Sequence, residues 1–173
     1  KLYIGGKQVR PDSGYSKAIF GPKGFITHIG EGNRKDIRNA VEAAHKAGSW
    51  SKTSGHLKAQ ILYYLAENLD KRSLEFIDSI ILSTGAKKEI ARKEVETSIS
   101  RLFYYAAWAD KFDGAVHDVP IRGVTLAMNE PLGVVGGICP EENPLLGLIS
   151  LAAPLIAMGN TCVVVPSEPF PLS

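Results

Sequence analysis

The side chains that could do chemistry gather late in the sequence, between Val134 and Glu168. Cys139 closes an apolar, Gly-punctuated run, Val134–Cys139, at a position where an open α/β sheet presents its strand ends to ligands. A thiol there could be a nucleophile, but the four His all lie in the preceding segments and none is at hand as a base. The surroundings favour a buried strand thiol, and Cys162 is plainer still. Glu141 and Glu142 follow on a turn. Adjacent acids ahead of a helix suit its positive N-terminal end, which alone accounts for them; the alternative makes one a general base or a ribose ligand. Asn143-Pro144 reads as an N-cap followed by a proline at the first helical position. Pro166-Ser167-Glu168 closes a second apolar run, where an acid is either part of a solvated turn or a holder of ribose hydroxyls. Gly133, Gly136 and Gly137 do not spell G-x-G-x-x-G, and no glycine opens the next helix. They read as close-packing positions rather than a phosphate cradle. No metal site is assigned.

These residues need a scaffold, and the pattern around them supplies one. Val134–Cys139, the wholly apolar segment Pro144–Met158 and the β-branched run Thr161–Val165 make a β-α-β unit, both strands being too apolar for a wet face. Gly159-Asn160 stops the helix between them. Everything earlier looks like cladding for this unit. Lys1–Val9 alternates around Gly5-Gly6 as a small hairpin. Residues 10–32 form an extended surface arm with short strands at Ala18–Phe20 and Phe25–Ile29. Asn33 caps a first helix with Asp36 as its capping-box partner, and Gly48 ends it. A second begins at Ser54–Leu57, with Ile61, Leu62, Leu65 and Leu69 as its inner stripe and Lys58 outside it. Ser73 caps a third, carrying Phe76, Ile77, Ile80 and Ile81 and stopped by Gly85. The fourth runs from Lys88 to Phe112, with Ala91, Val95, Ser98, Ile99, Leu102, Phe103, Ala106 and Ala107 on one face, broadened by Tyr104, Tyr105 and Trp108. The weakly alternating residues 115–130 suggest a protruding two-stranded ribbon.

At 173 residues, 45% of them apolar, the chain can build a real core. A net charge of +2 and the lack of a basic block interleaved with aromatics argue against a nucleic-acid partner. The longest apolar run, Pro144–Met158, is too short to cross a bilayer and contains Pro154, so no membrane role is expected. Two Cys make no disulfide framework and favour a reducing, cytoplasmic setting. Two strands and one crossover do not close a sheet, so the chain reads as part of something larger, and its second strand would be prone to associate along the open edge.

Several separated blocks, taken in order, resemble the N-terminal part of an aldehyde dehydrogenase: GPKGFITHIGEGNRKDIRNAVEAAHKA, LFYYAAWADKFDG, EPLGVVGGICP, APLIAMGNTCVVVPSE and the closing PLS. The resemblance implies an α/β fold, an incomplete Rossmann-like cofactor domain with N-terminal helical cladding. It divides the chain into residues 1–113 (β-arm and helices), 114–130 (a β-ribbon for oligomerisation) and 131–173 (the first β-α-β), all one truncated domain. It implies NAD or NADP as cofactor, with Ile138, Cys139, Pro140, Glu141, Ser167 and Glu168 along the cofactor. It implies a homo-oligomer, or the rest of a larger polypeptide, as partner.

The chain departs from the family pattern where chemistry is done. The family turn reads Pro-Trp-Asn-Phe-Pro, its Asn helping to hold the substrate oxyanion; here Glu142 takes that position and Asn143 stands one residue late. Losing one such donor costs about 10²–10³ in turnover, and a carboxylate should cost more. Val165 stands where the family has a Lys that touches the adenosine ribose. By resemblance, neither Cys139 nor Cys162 is the nucleophile, because the family's catalytic Cys, general-base Glu and Gly-rich loop come later than the position of Ser173. No catalytic residue is therefore intact, and weak or absent NAD binding is expected. The Glu-Glu turn and the Val-Pro-Ser ending are most similar to the family 16 branch, whose polypeptide carries two aldehyde-dehydrogenase-like regions, the second regarded as non-catalytic. Two functions compete: a portion of an enzyme, or a non-catalytic module that keeps the fold for assembly. Glu142 and Val165 favour the second.

Overall fold

The computed structural model describes residues 1–172; Ser173, the last residue of the closing PLS, lies outside them. The arm comes first. β1 (Leu2–Ile4) and β2 (Lys7–Val9) pair antiparallel across the expected Gly5-Gly6 turn. β3 (Ser16–Gly21) and β4 (Gly24–Gly30) make a second antiparallel pair, longer at both ends than the alternation predicts. Ile19 is its one fully buried apolar residue among those described, so the arm rests on the helices rather than building a core of its own.

Helix α1 (Arg34–Lys46) opens with the predicted capping box. The Asn33 side chain accepts from the Lys35 and Asp36 N–H groups, and Asp36 accepts from the Asn33 N–H. Asp36 is itself buried and also receives the Asp12 N–H on both oxygens, which staples the arm to the helix start. A short 3₁₀ turn (Gly48–Lys52) follows, and from it Trp50 donates its indole N–H to the Ile156 carbonyl at 3.0 Å.

Three helices then form the core with α5 of the β-α-β unit. α2 (Gly55–Lys71) starts at the Ser54 cap as expected. Its inner face is the expected one only in part: Leu62 and Leu69 are buried, together with Ala59 and Ala66, whereas Ile61 and Leu65 are 42% and 45% exposed. α2 meets α4 through small residues on both sides, including Ala66, Ala91 and Ala106, none with measurable exposure. Close backbone approach selects the alanines over the larger apolar neighbours. Lys58, expected outside, is buried as well; its ammonium donates to the Ser51 carbonyl at 3.3 Å, and desolvation pulls its pKa down. α3 (Ser73–Thr84) buries Ile77 and Ile80 as expected and ends at Gly85, whose φ of 74° suits glycine. Its cap position is Arg72, with no side-chain bond, so Ser73 is the first helical residue rather than the cap. α4 (Lys88–Trp108) ends four residues before the predicted stop and buries Ala91, Val95, Ser98, Ile99, Leu102 and Ala106 of the predicted face, whereas Phe103 is 38% exposed and Ala107 only half-buried. Tyr105 packs on the core, but Tyr104 and Trp108 face outward and do not widen it.

The ribbon forms: β5 (Ala115–His117) pairs antiparallel with β6 (Thr125–Ala127). The β-α-β unit forms as well. β7 (Val134–Ile138) and β8 (Thr161–Val165) run parallel, in register from Val134↔Thr161 to Ile138↔Val165, with α5 (Pro144–Ala157) between them. Buried Asn160 locks the return: its side-chain oxygen accepts the Gly133 N–H at 3.1 Å and its own N–H reaches the Leu155 carbonyl. α5 lies on α4, α2 and β8. The strands are not dry on both sides as their composition predicts: Ile138 is 82% exposed and Val165 41%. Both α5 and α1 pack against the pair, while the strand ends are left bare.

Candidate functional site

The parallel register brings the two strand ends side by side. Beyond the ladder the Cys139 N–H still donates to the Val165 carbonyl at 2.9 Å, so Cys139-Pro140 and Pro166-Ser167 leave the sheet as neighbours. Cys139 is buried and its thiol is pushed up by desolvation, as is that of Cys162. Both are free thiols held in the unreactive form, in agreement with the strand-thiol reading.

The turn Pro140–Asn143 carries its acids outward, with Glu141 and Glu142 both exposed. The expected cap is corrected here. Asn143 occupies the N-cap position in the left-handed region, φ 49°, and its side chain makes no cap bond. The helix start is closed instead from α4. Glu94, 5% exposed, accepts the N–H groups of Leu145 and Leu146 on one carboxylate oxygen, at 2.9 and 3.3 Å. Burial raises the Glu94 carboxyl, while these two bonds pull it back in part. Pro144 at the first helical position stands as expected. Gly147 completes the turn: a Cβ there would sit 2.7 Å from two ring carbons of Pro140, so only glycine lets the turn fold back on the helix. Glu94 was missed from the sequence, though it sits between Ala91, Val95 and Ser98 on the buried face of α4, an acid where apolar residues were counted.

At the other strand end, a cleft of about 1020 Å³ runs along β8 between the strand, α1 and the arm. Lys17, Trp50, Val163, Ser167 and Glu168 contribute to its walls. Ser167 is 2% exposed and its hydroxyl has no hydrogen-bond partner among the described residues. Glu168 is exposed and paired: Lys17, on β3 of the arm, donates to its Oε1, and that bond holds the Glu168 carboxyl below its ordinary range. Of the predicted cofactor-side residues, Ser167 and Glu168 border the cleft, whereas Ile138, at the end of β7 beside Val165, and Pro140 and Glu141, on the turn that follows, are not among its lining residues. Cys139 is behind that turn rather than in the cleft wall.

The Aldehyde dehydrogenase family model matches residues 21–173. The chain belongs to the aldehyde dehydrogenase family. An aldehyde dehydrogenase of Agaricus bisporus is 40% identical over 154 residues, covering 86% of this chain and 31% of the relative. Betaine aldehyde dehydrogenase of Bacillus subtilis is 33% identical over 178 residues, covering 99% of this chain and 36% of the relative. A crystal structure of Staphylococcus aureus betaine aldehyde dehydrogenase in complex with NAD⁺ superposes with a TM-score of 0.95 at 29% identity, over 98% of this chain and 35% of that one. The family fold is thus present, as a partial domain, and the chain spans about a third of the length of these relatives. An NAD-type cofactor is the family's. The residues here fit a nucleotide at the ends of β7 and β8: apolar lips at Ile138 and Val165, a buried hydroxyl at Ser167 with no partner among the described residues, and a carboxylate at Glu168. No helix among the described residues is long and apolar enough to cross a membrane.

Proposed function

We propose that residues 1–173 are the nucleotide-side wall of an NAD(P)-dependent, aldehyde dehydrogenase-like protein, and that this chain by itself does not oxidise aldehydes. The observation that carries the reading is the end of β8, paired in parallel with β7, opening on a cleft bordered by Ser167 and Glu168. Ile138, Pro140 and Glu141 would form one lip of the nucleotide site and Ser167 and Glu168 the other. NAD(P)⁺, when bound, supplies the hydride acceptor. What the chain's own residues do is orient the ribose and shield one face of the site from water. Glu142, at the family's oxyanion-binding position, places a carboxylate where a donor is needed, and opposes charge development rather than easing it.

The test is direct. The purified chain is expected to bind NAD⁺ with millimolar affinity by calorimetry and to give no aldehyde-dependent absorbance at 340 nm above a no-protein control. Micromolar NAD⁺ affinity or steady NADH production would overturn the reading.

A second reading is favoured by Glu142, Val165 and the ribbon, where Val116 and Leu126 lie exposed on β5 and β6. In it the fold is kept for assembly, as in the non-catalytic region of the family 16 branch, with residues 114–130 pairing to a second copy or to another part of a longer polypeptide in the cytoplasm. Sedimentation velocity separates the two. Under the assembly reading the chain self-associates and Leu126→Asp returns it to monomer; a monomeric wild-type chain at tens of micromolar counts against a homo-oligomer.

A further inference from the structure

The link from α4 to the ribbon contains Asp113-Gly114, the only place in the sequence where an aspartate or asparagine precedes a glycine. We propose that this step is a self-modification site. The Gly114 backbone nitrogen closes on the Asp113 side chain to give a succinimide, and hydrolysis of the ring leaves an isoaspartyl link at the root of the ribbon. In the first step a bond forms from the Gly114 nitrogen to the Asp113 Cγ. One carboxyl oxygen leaves as water, carrying the amide proton and a second proton from solvent. In the second step water adds to a ring carbonyl and breaks its bond to nitrogen. Opening at Cγ restores aspartate. Opening at the other carbonyl routes the main chain through Cβ and Cγ and frees the former backbone carbonyl as a carboxylate. The composition is unchanged, and no oxidant, reductant or cofactor enters.

The geometry separates this aspartate from the other six. Asp113 and Gly114 are both exposed, in irregular chain between α4 and β5. Among the described residues the Asp113 carboxylate makes no hydrogen bond or ion pair, and the Gly114 N–H reaches no acceptor, so both reacting groups are unengaged. Gly114 has no side chain to crowd the attack. Asp70 and Asp78 lie inside helices, where the following N–H groups are held. The carboxylates of Asp12, Asp36 and Asp110 are bonded to Lys35, to backbone N–H groups and to Lys111 respectively. Asp118 precedes the β-branched Val119. The consequence falls on the ribbon. The Asn129 side chain donates to the Asp113 carbonyl, and a Cβ at Gly114 would run into the Ala127 carbonyl, so the end of β6 is seated on this link. The isoaspartyl form lengthens the main chain by one C–C bond, about 1.5 Å. It also takes the carbonyl that Asn129 holds out of the main chain, so β5 loses its fixed placement against β6.

The experiment holds the whole ¹⁵N-labelled chain in H₂¹⁸O near neutral pH for several weeks, then digests it with trypsin in ordinary water. The tryptic peptide Phe112–Arg122 contains Asp113 and, as its internal control, Asp118. Expected are gain of one ¹⁸O at Asp113, faster than at any other aspartate, and an isoaspartyl form of this peptide resolved by electron-transfer fragmentation. Asp113→Glu keeps the charge at an exposed position and is expected to fold and to lose the label at residue 113, because the ring would need a sixth member. Asp113→Asn, which expels ammonia in place of water, is expected to convert faster. In aged wild-type protein, amide shifts are expected in β5, β6 and Asn129 and not in the helical core. Labelling of Asp113 no faster than Asp118 overturns the proposal, because the fold would then hold the two groups apart. Label at residue 113 of Asp113→Glu also overturns it, since the oxygen would have entered without the ring. Isoaspartate that leaves the ribbon amides unmoved overturns the structural consequence.

Discussion

The amino end of α5 and the carboxyl end of β8 open toward the same side of the parallel pair, and they are finished in opposite ways. At α5 the backbone donors are met from inside the protein, by the buried Glu94 carboxylate. At β8 a buried hydroxyl has no partner among the described residues, and the nearby carboxylate is met at the surface, by Lys17. In many nucleotide folds a helix N-terminus after the first strand receives the pyrophosphate. Here that end is already taken by an internal anion, so a phosphate would face a carboxylate instead of free N–H groups. The difference teaches where binding capacity was left: in the strand-end loop after β8, not in the helix dipole after β7.

The comparison can be broken most sharply at Glu94. Glu94→Ala strips two buried N–H groups of their acceptor and opens a void, and is expected to cost about 2 kcal/mol in urea unfolding. Glu94→Gln keeps an acceptor of the same shape and is expected to lose less than half as much. If the two variants are equally destabilised, the charge rather than the acceptor closes the helix. Next in size is Gly147→Ala. The added methyl collides with the Pro140 ring, outweighing the gain in helix propensity, for a net loss of about 1 kcal/mol by thermal unfolding. A neutral result would mean that the turn moves freely and does not hold the site.

The pH dependence follows from the direction of the Glu94 shift. Its folded value is raised above the ordinary 4.5, so the folded protein holds the proton more tightly than the unfolded chain. The Glu94 contribution is fully present below pH 4.5 and is lost as the pH rises through the folded value. Wild type minus Glu94→Gln stability should therefore fall over that window and flatten above it, a trend that urea midpoints at a series of pH values would read. At the open end the effects on stability are small and of the other sign. Ser167→Ala removes a buried hydroxyl that makes no bond among the described residues and is expected to stabilise by about 0.5 kcal/mol. A loss of stability would show that the hydroxyl is satisfied by water. Smallest of all, Lys17→Met is expected to leave the melting temperature unchanged, because both members of the pair lie largely in solvent.

How much of this was legible in the sequence depended on which physical signal carried it. The β-α-β unit was, because two β-branched runs around an apolar helix with Pro144 before it and Gly159-Asn160 after it admit few other structures. The α1 capping box and the Gly85 stop were legible for the same local reasons. The inner face of α2 was legible only in part, since periodicity weights large apolar residues and the packing was decided by alanines. Asn143 had the right residue type for a cap, but the left-handed turn carries its side chain away, and Glu94, 51 positions before the Leu145 N–H that it accepts, does the work. At the site, Ser167 and Glu168, read from the sequence as cofactor-side residues, border the cleft, while Lys17 gave no local signal at all; only the fold brings a strand-edge lysine of the arm to the end of β8.

The Trp50 hydrogen bond gives the molecule an internal gauge. The chain has two tryptophans, and they occupy contrasting places: Trp108 is exposed on α4, while Trp50 is partly buried and tied to the Ile156 carbonyl in the last turn of α5. A water-soluble quencher should therefore silence the emission of Trp108 first. The light that remains would report on a single contact, reddening when the crossover helix lifts from the 3₁₀ turn, with no label attached to the protein.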